Sequence, residues 1–247
     1  MLPARRNARR WAEQCCTGQV VAGAGTVFLV VSGPPGSGKS TLALRLSEAL
    51  GLPLLAKDTV KEALMSELSV PDVATSERLG RASMHVLFAL AAHARQGAVL
   101  EANFHRSLAR HDLFALPGSV LEVFCRCSPH TAADRFRRRV SERHPGHRDD
   151  EREAASLFSD EVARPIGGGW PVIEVDTEDE VPEDVIEAIC TTVVALARRS
   201  VPDDEDGESD VAEDDEIARP PLETGEEKNE NKDGECHRSV PAGDEDR

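Results

Sequence analysis

Residues Gly33-Pro34-Pro35-Gly36-Ser37-Gly38-Lys39-Ser40, followed by Thr41, place glycine, lysine and hydroxyl side chains at the spacing G-x-x-x-x-G-K-[ST]. Each of these types has a use in gripping phosphate. Glycines let the backbone turn so that successive N–H groups face one point. A helix that starts at that point adds its partly positive end. Lys39 is then placed to reach β- and γ-phosphates, and the Ser40 hydroxyl to ligate Mg²⁺. The expected ligand of residues 33–41 is ATP with Mg²⁺.

Three later stretches could act on that phosphate. In "LLAKDTVKEAL" (54–64), Asp58 falls where an apolar run gives way to a helical pattern. Strand ends in open α/β sheets face the ligand crevice, so Asp58 could take the proton of an attacking hydroxyl. It could equally be a helix N-cap. Lys57 and Lys61 are either substrate contacts or solvated charges. In "AVLEANFH" (98–105), Glu101 closes a strand and could hold Mg²⁺ or its water, or be a paired structural acid. In "DRFRRRVSERHPGHRDD" (134–150), Arg135 shares one helix face with Arg138 and Arg139. Such a row suits a lid that closes over ATP and steadies the transferring group. The alternative is a solvated basic face paired to Glu142, Asp149 and Asp150. His144 and His147 flank a Pro-Gly turn and lack partners at metal-ligand spacing, so a lid tip is the better reading there.

The elements that must position these groups follow from periodicity. Apolar runs at 26–32, 52–58, 98–103, 119–126 and 170–176 read as strands. Helical spacing marks 38–50 (Leu42, Leu44, Leu46, Leu50), 59–68, 76–97 with Gly97 as its stop, 130–143 and 182–199. Alternating strands and helices predict an α/β fold, a parallel sheet covered on both faces. "IGGGW" (166–170) reads as a flexible connection into the fifth strand, and "VDTED" (175–179) as a loop beyond it.

The net charge is −16, yet residues 201–247 hold 19 acidic and 5 basic residues, so 14 of those charges lie there. The rest is near neutral, which argues against a general nucleic-acid-binding surface. The expected organisation is a basic arm at 1–24, a nucleotide-binding domain at 25–200 and a disordered acidic tail at 201–247. Cys15, Cys16, Cys125, Cys127, Cys190 and Cys236 form no C-x-x-C pair and no zinc signature. No apolar stretch is long enough to span a bilayer. A signal peptide ending near 31 would remove the strand that leads into the phosphate loop, so a cytoplasmic protein is expected.

The combination GPPGSGKST, KDTVKEAL, EANF and an arginine-rich helix with RHPGH resembles the kinase branch of P-loop proteins grouped as AAA-domain ATP-binding families. That branch is similar to phage-type polynucleotide 5′-hydroxyl kinase, chloramphenicol phosphotransferase and zeta-toxin kinases. The resemblance spans about residues 26–199. It implies a three-layer P-loop fold with a five-stranded sheet of order 2-3-1-4-5. It also implies Asp58 as the hydroxyl-activating acid and Arg135 with Arg138 or Arg139 in a lid. Lys57 before Asp58 departs from many relatives, where two adjacent acids or an arginine stand. An N-K-x-D guanine-reading stretch is missing, as are the further parts of ring motors.

These observations support an ATP/Mg²⁺-dependent kinase that phosphorylates a hydroxyl of a small molecule. The rival readings are a nucleotide-dependent regulator without kinase activity and a polynucleotide 5′-hydroxyl kinase.

Overall fold

The computed structural model describes residues 25–151 and 158–199. The expectations for 1–24 and 201–247 lie outside the described residues. In chain order the elements are β1 (Val27–Ser32), α1 (Lys39–Leu50), β2 (Leu54–Ala56), α2 (Lys57–Glu67), α3 (Val73–His93), β3 (Gly97–Glu101), α4 (Arg106–Phe114), β4 (Ser119–Arg126), α5 (Pro129–Val140), β5 (Val172–Asp176) and α6 (Glu183–Arg199). Two short 3₁₀ turns, Pro145–His147 and Asp149–Glu151, follow α5. The five strands are all parallel, in the order β2-β3-β1-β4-β5.

β1 shows why the sheet is central. All six of its residues are buried, and its side chains alternate between two cores. Val27, Leu29 and Val31 join Leu42 and Leu46 of α1 and Ile186 and Ile189 of α6. Phe28 and Val30 join Leu87 of α3, Phe104, and Leu113 of α4. A strand covered on both faces needs an unbroken apolar run, and "VFLVVS" supplies it.

Several sequence expectations are corrected. The second strand is only Leu54–Ala56, so Lys57 and Asp58 belong to the first turn of α2. Leu44 is half exposed: Leu42, Leu46 and Leu50 lie four apart and face inward, whereas Leu44 sits two residues off that stripe. α4 falls where the sequence shows no clear helical stripe, because it is short and only Ala109 and Leu113 are buried. Gly97 does not stop α3, which ends at His93. It opens β3 with φ 91°, and a Cβ there would stand 1.9 Å from the Val27 carbonyl oxygen, so the close strand pairing requires glycine.

Residues 166–170 are not a free hinge. The fully buried Glu122 carboxylate of β4 accepts from Ile166 N (2.7 Å), Gly167 N (3.1 Å), Trp170 Nε1 (3.2 Å) and Ser32 Oγ (2.6 Å). Four donors on two oxygens use the capacity of a carboxylate. They tie the end of β1, just before the phosphate loop, to the approach to β5.

Candidate active site

The strand register decides what meets at the carboxyl end of the sheet. Glu101 pairs with both Ala56 and Val31, so the three stand in one row. β1 therefore delivers the glycine loop, β2 delivers Lys57 and Asp58, and β3 delivers Glu101 to one crevice. That is where open α/β sheets take their ligands.

The loop has the shape its glycines predict. Gly36 has φ 77°, and a Cβ on it would stand 2.1 Å from the Ala132 carbonyl oxygen of α5. Gly38 is the N-cap of α1, with no side chain capping the helix. Its first N–H groups are thus open to an anion. The buried Ser37 hydroxyl has no hydrogen-bond partner among the described residues. An orphaned hydroxyl beside an uncapped helix start fits a polyphosphate. Lys39 is almost fully buried, and its Nζ donates to Pro34 O at 2.8 Å. Burial pushes its ammonium below the usual lysine value, and Glu101 and Asp58 pull it back. Ser40 and Thr41 are exposed at the start of α1.

On one side of the loop lies a cleft of about 670 Å³ reached by Gly36, Gly38, Arg135, Arg138, Arg139 and Thr177. Arg135 is fastened rather than free: its guanidinium donates to Thr177 O (2.8 Å) and Glu178 O (2.7 Å). The Glu178 carboxylate accepts from Ser128 N (2.7 Å), Ser128 Oγ (3.1 Å) and the Thr131 hydroxyl, at the first turn of α5. Arg45 of α1 donates to Val181 O (2.5 Å) and Glu183 (2.7 Å). Arg138 is largely exposed and pairs with Asp134 one turn earlier, not with Glu142, Asp149 or Asp150. The charge of Arg139 bears on Lys39 and Glu101.

On the other side lies a lattice of charged side chains. Asp58 is partly buried and does not cap α2, whose N-cap is Ala56. Its Oδ1 accepts from Lys57 Nζ (2.8 Å) and its Oδ2 from Arg143 Nη2 (2.7 Å). Burial alone would raise the carboxyl, but Lys57 and Arg143 outweigh it and hold the acid well below the usual range. Arg143 also reaches Asp149 (2.5 Å) and His147 Nδ1 (3.1 Å). A guanidinium can only donate, so Nδ1 accepts, Nε2 carries the hydrogen, and Nε2 donates to Glu62 at 2.8 Å. Burial, reinforced by Arg143, lowers the His147 value. Lys61 is 2% exposed and donates to Ser76 Oγ at 2.9 Å. Neither Lys57 nor Lys61 is a solvated charge.

Glu101 is 7% exposed, and no hydrogen bond or ion pair engages its side chain among the described residues. Burial raises its carboxyl above the usual value, opposed mainly by Lys39. Of the residues singled out from sequence, Lys39, Glu101 and Asp58 meet at the carboxyl end of the sheet, Arg135, Arg138 and Arg139 line the cleft beside the loop, and Ser40 stands exposed at the start of α1. Sequence reading missed Arg143 as the partner of Asp58, because the two stand 85 positions apart with no local pattern between them. It also missed the Thr177–Glu178 contacts with the loop and α5; the sole local hint was Ser128-x-x-Thr131, a helix-cap pair. Among the described residues no group of three His, Cys, Asp or Glu side chains is arranged to hold a metal ion by itself.

Comparison with known proteins bears on the fold and the family. The AAA domain family model AAA_33 matches residues 28–159. A Chloroflexus aurantiacus protein assigned as a kinase, with no acceptor named, shares 31% identity and a TM-score of 0.61, covering 70% of this chain and 98% of its own. A Sinorhizobium meliloti gluconokinase shares 22% identity over 71% of this chain and 94% of its own, with a TM-score of 0.47. An APS kinase of Mycobacterium tuberculosis, solved with AMPPNP and APS, shares 22% over 70% of this chain and 97% of its own, with a TM-score of 0.45. No curated protein matches in sequence. The family model spans more than half of the chain, and the chain belongs to the AAA domain family, in its P-loop kinase form.

Proposed function

We propose that the protein is an ATP- and Mg²⁺-dependent kinase that moves the γ-phosphate to a hydroxyl of a small molecule, in the cytoplasm. The observation that carries this reading is the convergence of the glycine loop with its Lys39, of Asp58 and of Glu101 at the carboxyl ends of β1, β2 and β3, which stand in one register. Loop amides and Lys39 grip the β- and γ-phosphates. Ser40 and Glu101 would hold Mg²⁺, which would neutralise charge on the phosphates. A buried carboxylate with no protein cation bonded to it among the described residues suits that role.

Asp58 orients the acceptor. Two of its four acceptor sites are taken by Lys57 and Arg143, which leaves room for a hydroxyl. The hydroxyl oxygen bonds to the γ-phosphorus as the bond to the β–γ bridging oxygen breaks. ADP leaves with that electron pair, and the proton passes to Asp58. A carboxylate held well below its usual value is a weak base, so positioning is its larger contribution, as a loose phosphoryl-transfer transition state permits. Arg138 and Arg139 face the transferring group from α5.

ADP release from MgATP, with and without a polar metabolite extract, tests this. Lysine-dependent, extract-stimulated release supports a kinase, and fractionating the extract leads to the acceptor. AMPPNP binding without stimulated turnover would favour the regulator. Truncation of residues 201–247 separates these readings further, because a kinase retains nucleotide binding and turnover without them.

A further inference from the structure

Thr177, the residue after β5, is 4% exposed although its side chain is polar. Its hydroxyl lies 2.7 Å from Ser37 O and 3.0 Å from Arg126 O. A hydroxyl has one hydrogen to give. Ser37 O is the nearer acceptor, and Arg126 O is already served by the Thr177 backbone N–H at 2.8 Å, so the hydroxyl hydrogen is assigned to Ser37 O. Ser37 is the residue between the two left-handed glycines of the loop, Gly36 (φ 77°) and Gly38 (φ 83°).

The consequence follows from peptide planarity. In a trans peptide the C=O and the next N–H point in opposite directions, and the chain has no cis bond among the described residues. A hydroxyl that draws the Ser37 carbonyl toward β5 turns the Gly38 N–H the other way, into the concave side of the loop. With glycine on its C-terminal side, that peptide is weakly restrained by the chain itself and can flip. The same residue also sets the neighbouring wall. Its carbonyl receives Arg135, and Glu178 beside it binds the first turn of α5.

We propose that Thr177 is a positioning residue for phosphate binding: its hydroxyl orients the Ser37–Gly38 peptide so that the Gly38 amide donates to the nucleotide's phosphate chain. The inference rests on the nucleotide-binding reading above. It adds a residue 140 positions from the loop to the determinants of affinity.

The test is titration calorimetry of the full chain with AMPPNP and Mg²⁺, for the wild type, Thr177→Val and Thr177→Ser. The valine variant keeps the shape and loses the donor. Its affinity is expected to fall about tenfold, the scale of a hydrogen bond to a charged group. The serine variant is expected to stay within about twofold. In ¹⁵N-labelled wild type the Gly38 amide is expected to move strongly downfield on saturation with AMPPNP. This readout stands even if Thr177→Val fails to fold. A valine variant that binds like wild type, a serine variant as weak as valine, or an unmoved Gly38 resonance each overturns the proposal. If wild-type protein binds no AMPPNP, the nucleotide reading falls and this inference with it. Normal wild-type binding with an unaffected Thr177→Val overturns this inference alone.

Discussion

The two sides of the phosphate loop are held together by different bonds. On the α5 side the ties of Thr177, Arg135 and Arg45 reach main-chain carbonyls: Thr177 on Ser37, Arg135 on Thr177 and Glu178, Arg45 on Val181, the last arginine also pairing with Glu183. On the α2 side the ties join side chain to side chain: Lys57 and Arg143 to Asp58, Arg143 to Asp149, His147 to Glu62. Main-chain acceptors exist whatever the local residue, so under the proposed function the first side would frame the nucleotide, which does not vary. Side-chain pairs exist only with these residues, so under the same reading the second side would be where a particular acceptor is chosen.

Mutations should separate the two sides. Lys39→Ala is expected to abolish MgATP turnover, a loss of at least about a thousandfold, because under the proposed function the ammonium acts directly on the transferring phosphate. Product assays in the presence of the extract check it. Asp58→Asn is expected to lower turnover about a hundredfold while AMPPNP affinity changes less than about twofold. Unchanged phosphorylation of the true acceptor would remove Asp58 from the reaction. Loss of nucleotide binding would show that the two sides are not separable.

Stability gives the next contrast. Arg143→Ala leaves Asp149 buried and Asp58 half-paired, and should cost about 3 kcal/mol in urea unfolding. Arg138→Ala removes an exposed pair within one helix and should shift stability by less than about 0.5 kcal/mol. Equal costs would erase the distinction between a buried lattice and a solvated row.

Acid should act on the lattice as well. Asp58 has a lowered value in the folded chain, so its contribution to stability is complete above the unfolded value near 3.8. It drains away as pH falls below that. Melting curves between pH 5 and 2 should show a shallower loss for Asp58→Asn than for the wild type.

The smallest effect concerns thiols. Burial pushes Cys125 up to about 12, whereas Cys127, also raised by burial, lies nearer the surface. Mass spectrometry after mild alkylation at pH 8 should find Cys127 modified ahead of Cys125 and Cys190.

By itself the sequence determined the phosphate loop, the apolar strands and the alternating architecture. These are local: a glycine spacing, a run of β-branched residues and a helical stripe act over a few residues, wherever the rest of the chain lies. It also marked Asp58 and Glu101 as strand-end acids, because strand ends meet the crevice in any sheet of this class. Only the tertiary structure decided what those acids touch. Arg143 meets Asp58, Thr177 meets Ser37, and Glu122 gathers Ser32, Ile166, Gly167 and Trp170. Each of these pairings depends on which face of a helix or loop lands against the sheet. Packing of the two cores sets that, and no spacing within the chain records it.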